Sequence, residues 1–250
     1  METLTNFSVS PLTIFFPMFV IIYLIAYYGV FRNWNPKYRP EASSCLISLA
    51  HGTPAFFLAI IAIANQSQSQ RGFASPNTEL QNIVLDYSIS YFTMDLIHYL
   101  VFNPNDVLFI GHHLATLFVF VTCRYLVSHG AFAILILLGL AEVTSFCQNT
   151  WTLAGVRKND VAAAGKLYEF LSPPFYAFYS VVRGIAGPAF VYKMGAFYLC
   201  GAADNVIPRW LVVSWLVVVV VAISVSILWV ANLWVDLFKQ RSGKMEKKVR

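Results

Sequence analysis

Between Arg209 and Asp236 the chain carries no charged side chain, and six further stretches are long and apolar enough to be read in the same way. No other feature constrains the fold as much. Crossing a hydrocarbon core as a helix takes roughly 20 apolar residues, and backbone groups inside it can be paired only within helices or closed barrels. Runs such as Leu211 to Val221 lack the period-two alternation of barrel strands. The sequence therefore predicts an all-α polytopic membrane protein with about seven transmembrane helices. They read Pro11 to Phe31, Ser44 to Ala64, Asn82 to Phe102, Val107 to Val127, Ala131 to Trp151, Leu167 to Tyr192 and Arg209 to Asp236. Only 12% of residues are charged and mean hydropathy is +0.63, against about 25% charged in a soluble domain. Disorder, a disulfide-stapled secreted fold and nucleic-acid binding are set aside, the last because one basic tail accounts for the net charge of +5.

The first span follows an acidic Met1-Glu2-Thr3, unlike a secretory signal, and is read as retained. With an odd span count, the carboxyl-terminal tail and the connectors around Arg32 to Arg39 and Arg157 to Lys166 share one side. That side holds twelve Lys and Arg, and the other holds four, namely Arg71, Arg124, Lys193 and Arg209. The positive-inside rule then makes the tail cytosolic and the amino terminus lumenal. Glycosylation acceptor patterns at Asn6 and Asn65 fall on the lumenal side, with their occupancy open. Cys45, Cys123, Cys147 and Cys200 show no zinc-type spacing, and no disulfide is expected.

Ionisable groups inside a span cost about 2.5–3.5 kcal/mol each by insertion scales, so they normally face the bundle interior. In this topology His51, Asp95, His98, His112, His113 and Glu142, from four helices, share one depth band. Asp95 and His98 lie three apart on one helix face, Thr116 is within three or four residues of both members of the histidine pair, and Glu142, Ser145 and Asn149 form a stripe. The pattern predicts a polar cavity open toward the cytosol. Taken singly, His51 reads as a hydrogen-bonded packing histidine and Asp95 as a partner for a histidine. Adjacent helical positions diverge by about 100°, so His112 and His113 cannot easily share one ion, and neither a metal site nor a cofactor is expected. The pair reads as one imidazole facing the cavity as base or nucleophile, with the other held by a neighbouring helix. Arg183, inside the sixth span, is expected to pair with Asp86 on the third.

The run Ser90-Tyr-Phe-Thr-Met-Asp95, the turn Asn103 to Asp106, Gly111-His112-His113, and Ala141-Glu142-Val-Thr-Ser145 followed by Asn149 resemble the TLC-domain family, which includes ceramide synthases. The resemblance implies a six-helix TLC domain over residues 41–236 around the cavity, preceded by residues 1–40 and followed by a cytosolic tail from 237 to 250. In ceramide synthases it implies acyl transfer from acyl-coenzyme A to a sphingoid amine, with the paired histidine, here His112 and His113, and an acidic position, here Asp95. Where those enzymes carry His-Asp-x-x-Asp this chain has Ala141-Glu142-Val143-Thr144-Ser145, so a histidine and one acid are absent. The chain looks more like the small TLC-domain proteins of lipid homeostasis.

Two functions stay open. One is a lipid-homeostasis protein that binds membrane lipid or acyl chains in the cavity through His51, Asp95, His98, Thr116, Glu142, Ser145 and Asn149. The other is an acyl-coenzyme A dependent acyltransferase acting through His112 or His113. A seven-span receptor fits less well because its loops would be very short. The ending Lys247-Lys248-Val249-Arg250 resembles a dilysine retrieval signal, which predicts endoplasmic reticulum residence and contact with a retrieval coat.

Overall fold

The computed structural model describes residues 10–68 and 71–249 and contains no strand among them. Nine α-helices follow in order within those residues: α1 (Pro11–Ile25), α2 (Arg39–Ala64), α3 (Glu79–Phe102), α4 (Val107–Val121), α5 (Ala131–Glu142), α6 (Ser145–Arg157), α7 (Ala162–Val181), α8 (Gly187–Leu199) and α9 (Arg209–Val249). Wider π-turns extend α1, α4 and α7 over Ala26–Val30, Thr122–Val127 and Val182–Ala186. Local chemistry sets several starts. Prolines open α1 and α2, where a missing N–H costs nothing. Thr78 accepts from Gln81 N while the Gln81 side chain accepts from Thr78 N, a capping box that starts α3. The Asp106 carboxylate accepts from Phe109 N and starts α4.

Five helical segments among the described residues are long and apolar enough to cross a membrane: Pro11–Val30, Arg39–Ala64, Val107–Val127, Ala131–Arg157 and Arg209–Lys239. Five of the expected seven spans thus meet the length and composition of a crossing helix, and the third and sixth do not. α3 is helical over the whole expected third span, but Asp86, Asp95 and His98 lower its hydropathy. It tolerates them because α1, α2 and α4 pack around it, burying thirteen of its twenty-four residues. α7, its π-turn and α8 make one helical run from Ala162 to Leu199, diluted by Lys166, Glu169, Arg183 and Lys193.

Two further expectations change. The fifth span is broken: Val143 and Thr144 form a turn, and α6 then runs on to Arg157. The segment from 237, expected as a cytosolic tail, is helical in continuation of α9 to Val249, with Lys247 and Lys248 inside the helix. Asp86 does not pair with Arg183. Fully buried, it accepts from Arg124 Nε at 3.2 Å, Arg124 Nη2 at 3.3 Å and the Tyr125 hydroxyl at 2.6 Å. The short α3–α4 turn sends α4 back along α3 and delivers Arg124 to that carboxylate, whereas the π-turn carrying Arg183 packs on α5 and α9. There Arg183 Nη2 donates to the Ala141 carbonyl at 2.7 Å, placing a cation at the end of α5 where carbonyls lack helical partners.

The turn between α4 and α5 is as tight as its sequence suggests. Ser128 and Gly130 have φ of 54° and 89°, and a Cβ at Gly130 would lie 3.1 Å from the Trp215 ring. Asn77 N donates to Ser128 O and Gly130 N to Ser75 O, which ties the α2–α3 connection to this turn. Trp215 of α9 is fully buried and donates from Nε1 to Thr122 Oγ1 at 2.8 Å. The four cysteines are free, Asn65 lies exposed at the end of α2, and Asn6 falls outside the described residues.

Candidate functional site

On α2, Ser44, Ser48 and His51 recur at helical spacing and turn one face toward α3, which answers with Ser88, Tyr91 and Asp95. Asp95 is the hub. Its Oδ1 accepts from the Ser44 hydroxyl at 2.6 Å, and its Oδ2 lies 2.9 Å from His113 Nε2 and accepts from the Tyr91 hydroxyl at 3.3 Å. Tyr91 is itself 2.8 Å from Ser48 Oγ.

His113 is buried on α4 between the rings of Phe92 and Tyr99, and its Nδ1 lies 2.8 Å from the Phe109 carbonyl. Both ring nitrogens thus face oxygens, and a carbonyl can only accept. Neither nitrogen of His113 is therefore left for a substrate.

His112 diverges, as neighbouring helical positions must. It is exposed on the chain's surface, edge-on to His113 at 5.7 Å between ring centroids. Among the described residues no carboxylate lies within 4.0 Å of it and no side chain hydrogen-bonds to it.

A second group forms around His51, which is fully buried and stacks on Tyr91 at 4.0 Å and 6°. His51 Nε2 is 3.1 Å from Ser88 Oγ. Its Nδ1 has no hydrogen-bond partner and lies 3.8 Å from Glu142 Oε1. Glu142 reaches this position because α5 ends there and because residue 52 is glycine. A Cβ at 52 would collide with Ser145 Oγ and Glu142 Oε2 and stand 2.7 Å from Ser145 Cβ. Asn149 Nδ2 donates to Ser145 O at 2.9 Å and to Ser145 Oγ at 3.1 Å, which fixes the first turn of α6 beside the histidine.

Tyr91 therefore joins two dyads, Asp95 with His113 and Glu142 with His51. Two expected members lie elsewhere. His98 faces α1, where its Nδ1 is 2.9 Å from the Tyr23 hydroxyl, and Thr116 is half-buried on α4 without a hydrogen bond to the others. Phe19 of α1 is fully buried against His51, Tyr87 and Tyr91, so the first helix is part of the site's wall. Residues not anticipated are Tyr23, Ser44, Ser48, Ser88, Tyr91 and Gly52. The 44–48–51 spacing on α2, and Tyr91 one turn before Asp95, are signals that the sequence does carry.

The expected cavity is not outlined by these residues. One depression of about 410 Å³ lies at the α3–α4 turn from Phe102 to Asp106, and another of about 300 Å³ lies between the connector after α1 and the α6–α7 junction. Among the described residues no group of three or more His, Cys, Asp or Glu side chains is placed to hold a metal ion.

Comparison with known proteins agrees with the family motifs. No solved structure matches the chain. A TLC domain-containing protein of Arabidopsis thaliana is 64% identical over 248 residues, covering 97% of each chain. The family model described as the TLC domain matches residues 41–235, the stretch that carries both dyads and His112. The chain belongs to the TLC-domain family.

Proposed function

We propose that this protein serves membrane lipid homeostasis by binding lipid or acyl chains within a seven-helix bundle, α3 and the α7–α8 run crossing beside the five apolar segments. The observation that carries this reading is a mismatch between acid and base. The histidine that has a carboxylate, His113, has no free nitrogen, and the histidine that is free, His112, has no carboxylate within ion-pair distance among the described residues. General-base or nucleophilic catalysis needs an accessible imidazole oriented by its acid. The remaining acid, Glu142, is turned to His51 and Gly52. What is left is an exposed imidazole, His112, beside a closed polar interior, and it can meet a lipid's polar end while acyl chains lie against the apolar helices. Residence in the endoplasmic reticulum, through Lys247 and Lys248 and a retrieval coat, belongs to the same proposal.

The exposure of His112 favours one alternative, an acyltransferase that takes its acyl group from acyl-coenzyme A. Purified full-length protein separates the two. As a binder it retains co-purified lipid, transfers no acyl group from acyl-coenzyme A to membrane amines or alcohols, and changes its lipid occupancy in His112→Ala. Transfer by the parent that disappears in His112→Ala while the variant still folds overturns the binding reading.

A further inference from the structure

The connectors that follow α1 and α6 lie far apart in sequence, but the fold brings them together at one end of the bundle. Arg157, the last residue of α6, places its guanidinium over the Trp34 ring at 5.0 Å. Between the connectors runs an apolar depression of about 300 Å³, bounded by Phe31, Trp34, Leu153, Ala154, Val161 and Leu167, with Thr150 and Arg157 as its polar members. It is a shallow, open depression at the surface and not an enclosed cavity. Phe31 and Ala154 are buried and form the floor, while Val161 and Leu167 stand open on the rim.

Charge surrounds this groove unevenly. Arg32, Lys37, Arg39, Arg157, Lys158 and Lys166 come from its two connectors and adjoining helix ends, against Glu41, Asp160 and Glu169. Arg32, Lys37, Lys158 and Lys166 are exposed. Arg157 has an exposed acidic neighbour, Asp160, at 3.7 Å, a loose contact that leaves most of its donors available. An apolar slot that opens at a helix-end plane among cations has the chemistry of one lipid class. Its chain enters between helices and its phosphate stays at the rim, as in basic pockets between membrane helices on the cytoplasmic side.

We propose that this groove binds an anionic phospholipid of the cytosolic leaflet, one acyl chain lying on Phe31, Leu153 and Ala154 and the net negative charge of its headgroup held by Arg157 and Lys158. The site is separate from the Asp95–His113 and His51–Glu142 dyads and does not depend on how they function.

The test uses full-length protein in nanodiscs of phosphatidylcholine alone or mixed with phosphatidylserine, with bound lipid read by native mass spectrometry after partial delipidation. Phosphatidylserine should be retained over phosphatidylcholine. That preference should fall about fivefold for each cation removed in Arg157→Gln and Lys158→Gln, and Leu153→Trp, which fills the slot, should release the lipid. A photoactivatable phosphatidylserine with the probe in its acyl chain gives a reading on the unaltered protein, independent of whether any variant folds, and should label the peptide spanning 150–167. Equal retention of the two lipids by the parent, an unchanged preference in both charge variants, or labelling confined to α1 and α9 overturns the proposal.

Discussion

Asp95 and His113 show how an ionisable group is kept inside the bundle. The carboxylate accepts from Ser44 and Tyr91 and lies against the imidazole, and the imidazole spends its second nitrogen on the Phe109 carbonyl. Removing one member of such a buried pair leaves the other uncompensated, at a cost of about 3–5 kcal/mol. His113→Ala should therefore lose that much stability in reversible unfolding of the detergent-solubilised protein. His112→Ala should stay within about 0.5 kcal/mol of the parent, as substitutions away from such networks do. The difference between two adjacent histidines is the diagnostic quantity, and equal losses would show that the network is not the one described. Asp86 illustrates the same rule with a different partner. A fully buried carboxylate takes whichever cation the chain reversal brings beside it, here Arg124.

Among the elements, the contact between α2 and the α5–α6 break carries the most consequence. A glycine at 52 lets the two backbones approach until Glu142 and Ser145 lie over α2, and no side chain fits there. Gly52→Ala should destabilise the protein by about 1–3 kcal/mol, the usual cost of overpacking, and Ser145→Gly in the same chain should restore part of it. Gly139→Ala supplies the control. Nothing lies within 4 Å of a Cβ at that position, so the change should be neutral or stabilising by about 0.5–1 kcal/mol, because glycine weakens a helix interior. Thermal midpoints of the three variants in one detergent check this, and a neutral Gly52→Ala would remove the close approach from the account.

For the molecule as a whole, the question is which helices cross. α3 is too polar to qualify by hydropathy alone, yet it is enclosed by α1, α2 and α4. A helix in that position meets protein instead of lipid, so its polar groups are satisfied by neighbours. If α3 crosses, residues flanking it lie on opposite sides of the membrane. With the native cysteines replaced, Asn65→Cys and Asn105→Cys should be labelled by an impermeant thiol reagent from opposite faces of sealed microsomes, as should Asn159→Cys and a retained Cys200 across α7 and α8. Labelling from one face for either pair returns the count toward the five apolar segments.

Helical class was legible in the sequence because hydrocarbon admits so few backbone solutions that apolar run length nearly suffices. The family was legible in the order of short motifs around Asp95, His112 and Glu142, and the tight turn at Ser128 to Gly130 in its residue types. Even the divergence of His112 from His113 followed from helical pitch alone. The partners did not follow. Asp86 was expected to meet Arg183 and meets Arg124, His98 had an unassigned face toward Tyr23, and nothing local marked Val143 and Thr144 as a break once the surrounding residues read as apolar helix. Those choices depend on which helices become neighbours. In a bundle, neighbours are set by packing summed over whole helix faces, a quantity no single stretch of sequence contains. The joining of Trp34 to Arg157 across more than a hundred residues is of the same kind.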